Sequence, residues 1–188
     1  KLNYLISQFK KEFLSIWNGV VMGGGVGLSI YGDHRLATDS TKFAMPETSI
    51  GFFPDVGGSY FLSNLPNNVG KYIGLTGKVL KVNDLIFLGL ATDYVKFDDI
   101  ELLKENYIEK GIIIREKFEV DDSSELIRNI DLINSLFEGD IFKIFENLTN
   151  NQSDFAKKNF EILTNKCPMS LAISTKLINE AKGKSLKE

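Results

Sequence analysis

At 188 residues, 43% hydrophobic and 25% charged, the chain is long enough to bury a substantial core and too apolar to be disordered. Its net charge of −3 gives no basic field for nucleic acid or an anionic membrane surface, and no apolar run reaches the ~18 residues of a membrane span. One cysteine, Cys167, excludes an internal disulfide and fits a reducing compartment.

Leu2, Leu5, Ile6, Phe9 and Phe13 recur at helical spacing, so residues 2–11 are expected to form an amphipathic helix. The chain opens on Lys1 inside that stretch, without an initiating Met or a targeting segment, and reads as part of a longer protein lacking its N-terminal part. Phe13 to Val21 is one apolar segment, with a buried strand around Phe13 to Trp17, that runs into Gly23, Gly24 and Gly25. Val26 to Tyr31 continues as helix. Arg35 to Thr38 and Lys42 to Met45 read as strands, the second ended by Pro46. Strands separated by a helix predict a right-handed crossover.

Glu47 to Pro54 is expected to be extended and mostly apolar, with Asp55 as the N-cap of a helix over Val56 to Leu62. Short helices follow over Asn68 to Thr76 and Val82 to Leu90, then a strand over Ala91 to Val95. Asp98 caps a helix over Asp99 to Glu109, and Ile112 to Glu119 is a strand or an extended connector. From Asp121 onward apolar residues recur at helical spacing, which predicts several short helices. The expected organisation is a mixed α/β core over 1–110 and a helical C-terminal region over 111–188. The sequons Asn147-Leu148-Thr149 and Asn151-Gln152-Ser153 read as chance matches.

The glycine triplet is the natural place for chemistry. Glycines where a strand meets a helix let the backbone turn sharply and approach a ligand, because no Cβ intervenes. The first amides of the helix lack intrahelical partners and carry the positive end of its dipole, so the corner receives an anion or a developing oxyanion. Glu47 and Asp55, each beside a proline and among apolar neighbours, would supply proton transfer or covalent capture, with their pKa values pushed apart. The competing reading is a glycine turn needed for packing and two capping carboxylates. Other site types fail on residue content. The triplet is neither a P-loop nor G-x-G-x-x-G, and no G-x-S-x-G elbow is present. One histidine and one cysteine rule out a structural zinc site, and no metal is expected. His34, after Asp33 at a helix end, reads as a surface residue, and Cys167 lacks independent support as a nucleophile.

The run Asn18-Gly19-x-x-Met22-Gly23-Gly24-Gly25, followed by Phe43-Ala44-Met45-Pro46-Glu47-Thr48-x-x-Gly51-Phe52-Phe53-Pro54-Asp55-Val56-Gly57-Gly58, resembles the signature of the crotonase (enoyl-CoA hydratase/isomerase) superfamily. Within it the closest resemblance is to the 3-hydroxyisobutyryl-CoA hydrolases. The similarity is dense over 16–62, continues through Leu75-Thr76-Gly77 and Gly89 to Val95, and fades in the C-terminal helices. It implies a spiral of ββα units followed by helices that cover the site and contribute to subunit contacts in a homo-oligomer. It makes Gly24 the second oxyanion-hole donor, flanked by Gly23 and Gly25, and places the first donor upstream of residue 1. Glu47 becomes the principal catalytic carboxylate and Asp55 the residue that tips hydration toward hydrolysis. Hydratases of the superfamily carry a second glutamate where this chain has Gly27. The implied reaction is hydrolysis of a short 3-hydroxyacyl-CoA thioester, with coenzyme A only as part of the substrate and no separate cofactor. The alternatives are hydratase or isomerase chemistry, or a non-catalytic acyl-CoA-binding module. No nucleic-acid or membrane partner is implied. Eukaryotic members of the branch act in mitochondria in valine breakdown, which implies that compartment, with the cytoplasm left open.

Overall fold

The computed structural model describes residues 2–113 and 115–187, so Lys1, Ile114 (inside the expected extended stretch) and Glu188 lie outside the described residues. Helix α1 (Leu2–Ser7) precedes five strands, β1 (Leu14–Trp17), β2 (Val20–Met22), β3 (His34–Ala37), β4 (Lys42–Ala44) and β5 (Asp93–Tyr94). The strand expected around Phe13 to Trp17 is β1, and the rest of the apolar segment forms a second strand, β2, after Asn18-Gly19, where Gly19 takes a left-handed φ of 83°. β1 and β2 consequently enter different sheets. β1, β3 and β5 form one parallel sheet and β2 and β4 another, with Leu14 opposite His34 and Val20 opposite Lys42. The first two turns of chain therefore lay one strand on each sheet, with helix α2 (Gly24–Ser29) as the return between them, which is the expected ββα spiral.

The bend between paired strands is braced by small polar residues. Thr41 donates its hydroxyl to the Trp17 carbonyl at 2.6 Å, Ser40 donates to Asn18 Oδ1 at 2.6 Å, and Gly19 N–H donates to Ser40 Oγ at 3.0 Å. One bend thus stacks on the next with its polar groups satisfied, as a bend between buried strands must.

Helices α3 (Gly58–Ser63), α4 (Val69–Thr76) and α5 (Val82–Phe87) follow, and every residue of α4 is buried. α4 approaches α3 so closely that a Cβ on Gly70 would stand 1.8 Å from the Leu62 carbonyl oxygen. α6 (Ile100–Lys110) is led in by a 3₁₀ turn at Phe97–Asp99, so Asp99 rather than Asp98 precedes the helix. The stretch after α6 is an extended connector that meets β5 through the Glu116–Tyr94 bridge, the Arg115–Asp93 ion pair and the packing of Phe118 on Tyr94. The C-terminal region folds as α7 (Glu125–Arg128), α8 (Ile130–Leu136), α9 (Ile141–Asn150), α10 (Asp154–Thr164) and α11 (Pro168–Ala181). Ser124, Asp140 and Ser153 cap α7, α9 and α10 with their side chains, and Pro168 opens α11. One hydrophobic cluster joins spiral and helices, running from Trp17 and Phe43 through Tyr72 to Phe137, Leu163 and Ile178.

Candidate active site

β2 ends at Met22 and the backbone turns at Gly23, whose φ of 50° and ψ of −119° suit glycine alone. Gly24 and Gly25 open α2 and are exposed, and a Cβ built on either would meet nothing within 4 Å. As the first residues of the helix, they carry amides that lack intrahelical acceptors. A Cβ on Gly23 would come 3.8 Å from Glu47 Oε1. The tertiary fold therefore stands the Glu47 carboxylate against the glycine corner.

Glu47 does not lie in an extended segment as expected. It opens a 3₁₀ turn, Glu47–Ile50, closed by Gly51 at a left-handed φ of 75°, and its carbonyl accepts the Phe52 N–H at 3.0 Å. The reason is packing from behind. Thr48 donates its hydroxyl to the Leu75 carbonyl at 3.0 Å, and Gly77 passes so close that a Cβ there would be 3.3 Å from Pro46 Cα. Lys166, just before α11, donates to Ser49 Oγ and ties the C-terminal helices to the same turn. Glu47 is only 6% exposed, and its Oε2 has no hydrogen-bond partner among the described residues. Burial pushes its carboxyl above the usual carboxylate range. Its own backbone N–H partly offsets the rise, and the charge of Asp55 adds to it. A buried carboxyl with a free oxygen beside a row of amides is equipped for proton transfer or attack at a carbonyl carbon.

Asp55 differs from expectation on two counts. It is exposed, so the apolar setting expected for both carboxylates holds for Glu47 only. Nor is it the N-cap of the next helix: α3 begins at Gly58 after Gly57 at φ 80°, and Asp55 takes part through its main-chain carbonyl, which accepts the Gly58 N–H at 2.6 Å. Pro54 is buried, and the chain then swings outward through Asp55, Val56 and Gly57. Val56 holds a left-handed φ of 48°, rare for a β-branched residue. Two residues that the sequence did not single out pin this turn. Tyr31, after α2, donates its hydroxyl to the Gly57 carbonyl at 2.7 Å, and the Asn3 side-chain amide donates to the Val56 carbonyl. Burial raises the Tyr31 phenol, so it stays a donor at ordinary pH. Val56 in turn covers Gly27, where a Cβ would lie 2.4 Å from Val56 Cβ and 2.9 Å from Asn3 Nδ2. Tyr31 left a faint signal as a hydroxyl at the end of an apolar helix and Val56 stood within the motif beside Asp55, whereas Asn3 and Lys166 left none.

The remaining candidates stand elsewhere. His34 opens β3 with its ring 4.0 Å from the Glu12 carboxylate, and Cys167 precedes α11, where hydrogen bonds from Ser170 lower its thiol. Among the described residues no group of three or more His, Cys, Asp or Glu side chains could hold a metal ion. A cavity of about 780 Å³ lies away from this corner, at the far end of α3 between Asn67, Lys71, Asn134 and Lys182.

A buried acid against the first amides of a ββα spiral defines a class. The chain belongs to the enoyl-CoA hydratase/isomerase family, whose model matches residues 1–188, and its fold is crotonase-like. It is 39% identical over 201 residues to the mitochondrial 3-hydroxyisobutyryl-CoA hydrolase of Xenopus laevis, covering 100% of this chain and 52% of that protein. To the protein of the same name in Dictyostelium discoideum it is 42% identical over 184 residues, covering 92% and 48%. A solved structure described as a carnitinyl-CoA dehydratase from Mycobacterium thermoresistibile superposes with a TM-score of 0.89 at 33% identity, over 98% of this chain and 56% of that one. The chain thus spans about half the length of the curated relatives it matches.

Proposed function

We propose that this chain carries the catalytic carboxylates and one oxyanion donor of an acyl-CoA thioester hydrolase, with 3-hydroxyisobutyryl-CoA as the foremost substrate. The observation that carries the reading is the Glu47 carboxylate standing against Gly23, beside the exposed Gly24 and Gly25 that open α2. The thioester oxygen accepts the Gly24 N–H. As the carbonyl carbon becomes tetrahedral, that donor stabilises the growing negative charge by about 3–4 kcal/mol. Glu47 takes the proton of the attacking water, the C–S bond breaks, and the proton passes to the departing sulfur to give free acid and CoA. The same carboxylate placed as nucleophile gives an anhydride that water then opens. Asp55 orients the substrate hydroxyl or the water from the neighbouring turn.

The names of the curated relatives support hydrolysis and a mitochondrial setting. A second reading, water addition to an enoyl thioester on the same fold, draws on the dehydratase description of the similar structure. Against it stands Gly27, because addition of water to a double bond wants two carboxylates gripping one water. No helix among the described residues is long and apolar enough to cross a membrane.

The test uses the full-length protein and a panel of acyl-CoA esters, following thiol release and loss of the enoyl absorbance in parallel. Thiol release selective for 3-hydroxyacyl esters is the expected result. Enoyl loss without thiol release would establish the hydratase reading instead, and CoA-ester binding with neither signal would leave a binding module.

A further inference from the structure

We infer that Val56 is a specificity-determining residue of this site: its side chain, held over α2 in a left-handed conformation, bars any side chain from position 27 and locks the Asp55 turn beside the glycine corner. The inference deepens the hydrolase reading and rests on it.

Three observations converge on this residue. Gly27 lies one helical turn beyond Gly23, and its N–H donates to the Gly23 carbonyl at 3.1 Å, so a side chain at 27 would rise on the face that carries the corner. That volume is filled. A Cβ on Gly27 would stand 2.4 Å from Val56 Cβ and 2.8 Å from Val56 Cγ2, contacts that no rotamer change of a β-branched residue relieves, because the nearer atom is the Cβ itself.

Val56 is also strained. A β-branched residue at φ 48° persists only where its surroundings over-determine it. Here they do: Asn3 holds the Val56 carbonyl, Tyr31 holds the next one, and the Gly58 N–H holds the carbonyl before it. The same Asn3 amide nitrogen would stand 2.9 Å from a Cβ on Gly27, so tether and filler close over one spot.

The third observation is electrostatic. Asp55, adjoining Val56, is the acid whose charge reaches Glu47 and helps raise its carboxyl. The Val56–Gly27 contact therefore decides which second acid Glu47 has: one on the loop, never one on α2. Hydration keeps the C–S bond and needs a proton taken from water and another delivered to carbon. Hydrolysis breaks the C–S bond and releases a thiol. An α2 glutamate gripping the same water as Glu47 would serve the first, and Val56 removes it.

The full-length protein separates the alternatives. Val56→Ala should stay folded, lose about tenfold in kcat for thiol release and keep its KM, as expected when a reacting group is misplaced rather than binding lost. Gly27→Ala should lower the melting temperature by several degrees alone and by much less when combined with Val56→Gly, the non-additivity expected of two residues in contact. Gly27→Glu with Val56→Gly should fold, lose thiol release and gain loss of the enoyl absorbance. Additive melting shifts, or Val56→Ala with wild-type kcat and KM, would overturn the inference. A wild-type protein that releases thiol from no acyl-CoA would overturn the hydrolase reading and with it the choice of reaction, whatever the melting shifts.

Discussion

The turns that carry Glu47 and Asp55 stand close in one short motif, yet the fold treats them oppositely. The Glu47 turn is pressed inward by α4 and the C-terminal helices, so Glu47 is 6% exposed and its pKa rises. The Asp55 turn swings out over α2, is held by Tyr31 and Asn3, and leaves its carboxylate exposed. The difference teaches that a pair of acids in a motif need not be a pair of like environments. One is tuned by burial and the other is merely placed, and each should respond to mutation accordingly.

The largest expected effect is at the tuned acid. Glu47→Gln should cut kcat for thiol release by about 10²–10⁴-fold while CoA-ester binding, measured by calorimetry, persists. Near wild-type turnover would dissolve the distinction between the two turns. Asp55→Asn should cost less, roughly 10–10²-fold in the same assay, as befits a group that orients rather than transfers. Equal losses in the two variants would make the acids partners of equal rank.

Single ties give smaller effects. Thr48→Val removes the hydroxyl that holds the Glu47 turn to Leu75, and Tyr31→Phe the one that holds the Asp55 turn to Gly57. Each should lower stability in chemical denaturation by about 1 kcal/mol, the net worth of one such hydrogen bond. The Tyr31 variant should lose activity in the manner of a misplaced Asp55, which the Thr48 variant should not.

The smallest effect is a pH dependence of stability, whose sign follows from Glu47. Because its carboxyl is raised above the ordinary 4.5 in the folded state, the folded chain binds the proton more tightly than the unfolded one. Stability therefore falls as pH rises from about the unfolded value through the raised folded value, and is level above it. Glu47→Gln should abolish this fall and leave the protein more stable at neutral pH. A variant that melts lower than wild type there would contradict the burial cost assigned to Glu47.

Much of this was legible beforehand, for local reasons. The glycine triplet at the start of α2, the strands at Arg35 and Lys42 and the run of short C-terminal helices all follow from periodicity, turn residues and caps. What local patterns did not record shares a cause as well. Asn18-Gly19 splits an apolar run because the spiral needs the chain to change sheets there, which hydrophobicity alone does not record. Glu47 to Ile50 coils because Leu75, Gly77 and Lys166 press on it from distant parts of the chain. Asp55 fails as a side-chain cap because Gly57 can take the left-handed conformation that starts α3.

The sequence by itself determined the residue types of the site: glycines whose amides a ligand can approach, two carboxylates in one motif, and a position 27 without a side chain. Those follow from local chemistry, since backbone access and acidity belong to each residue alone. Only the tertiary structure decided that Glu47 is buried against Gly23, that Asp55 is exposed, and that Val56 occupies the space over Gly27. Burial, electrostatic reach and excluded volume are relations between residues far apart in the chain, and they come into existence only when α2, the Glu47 turn and the Asp55 turn are packed together.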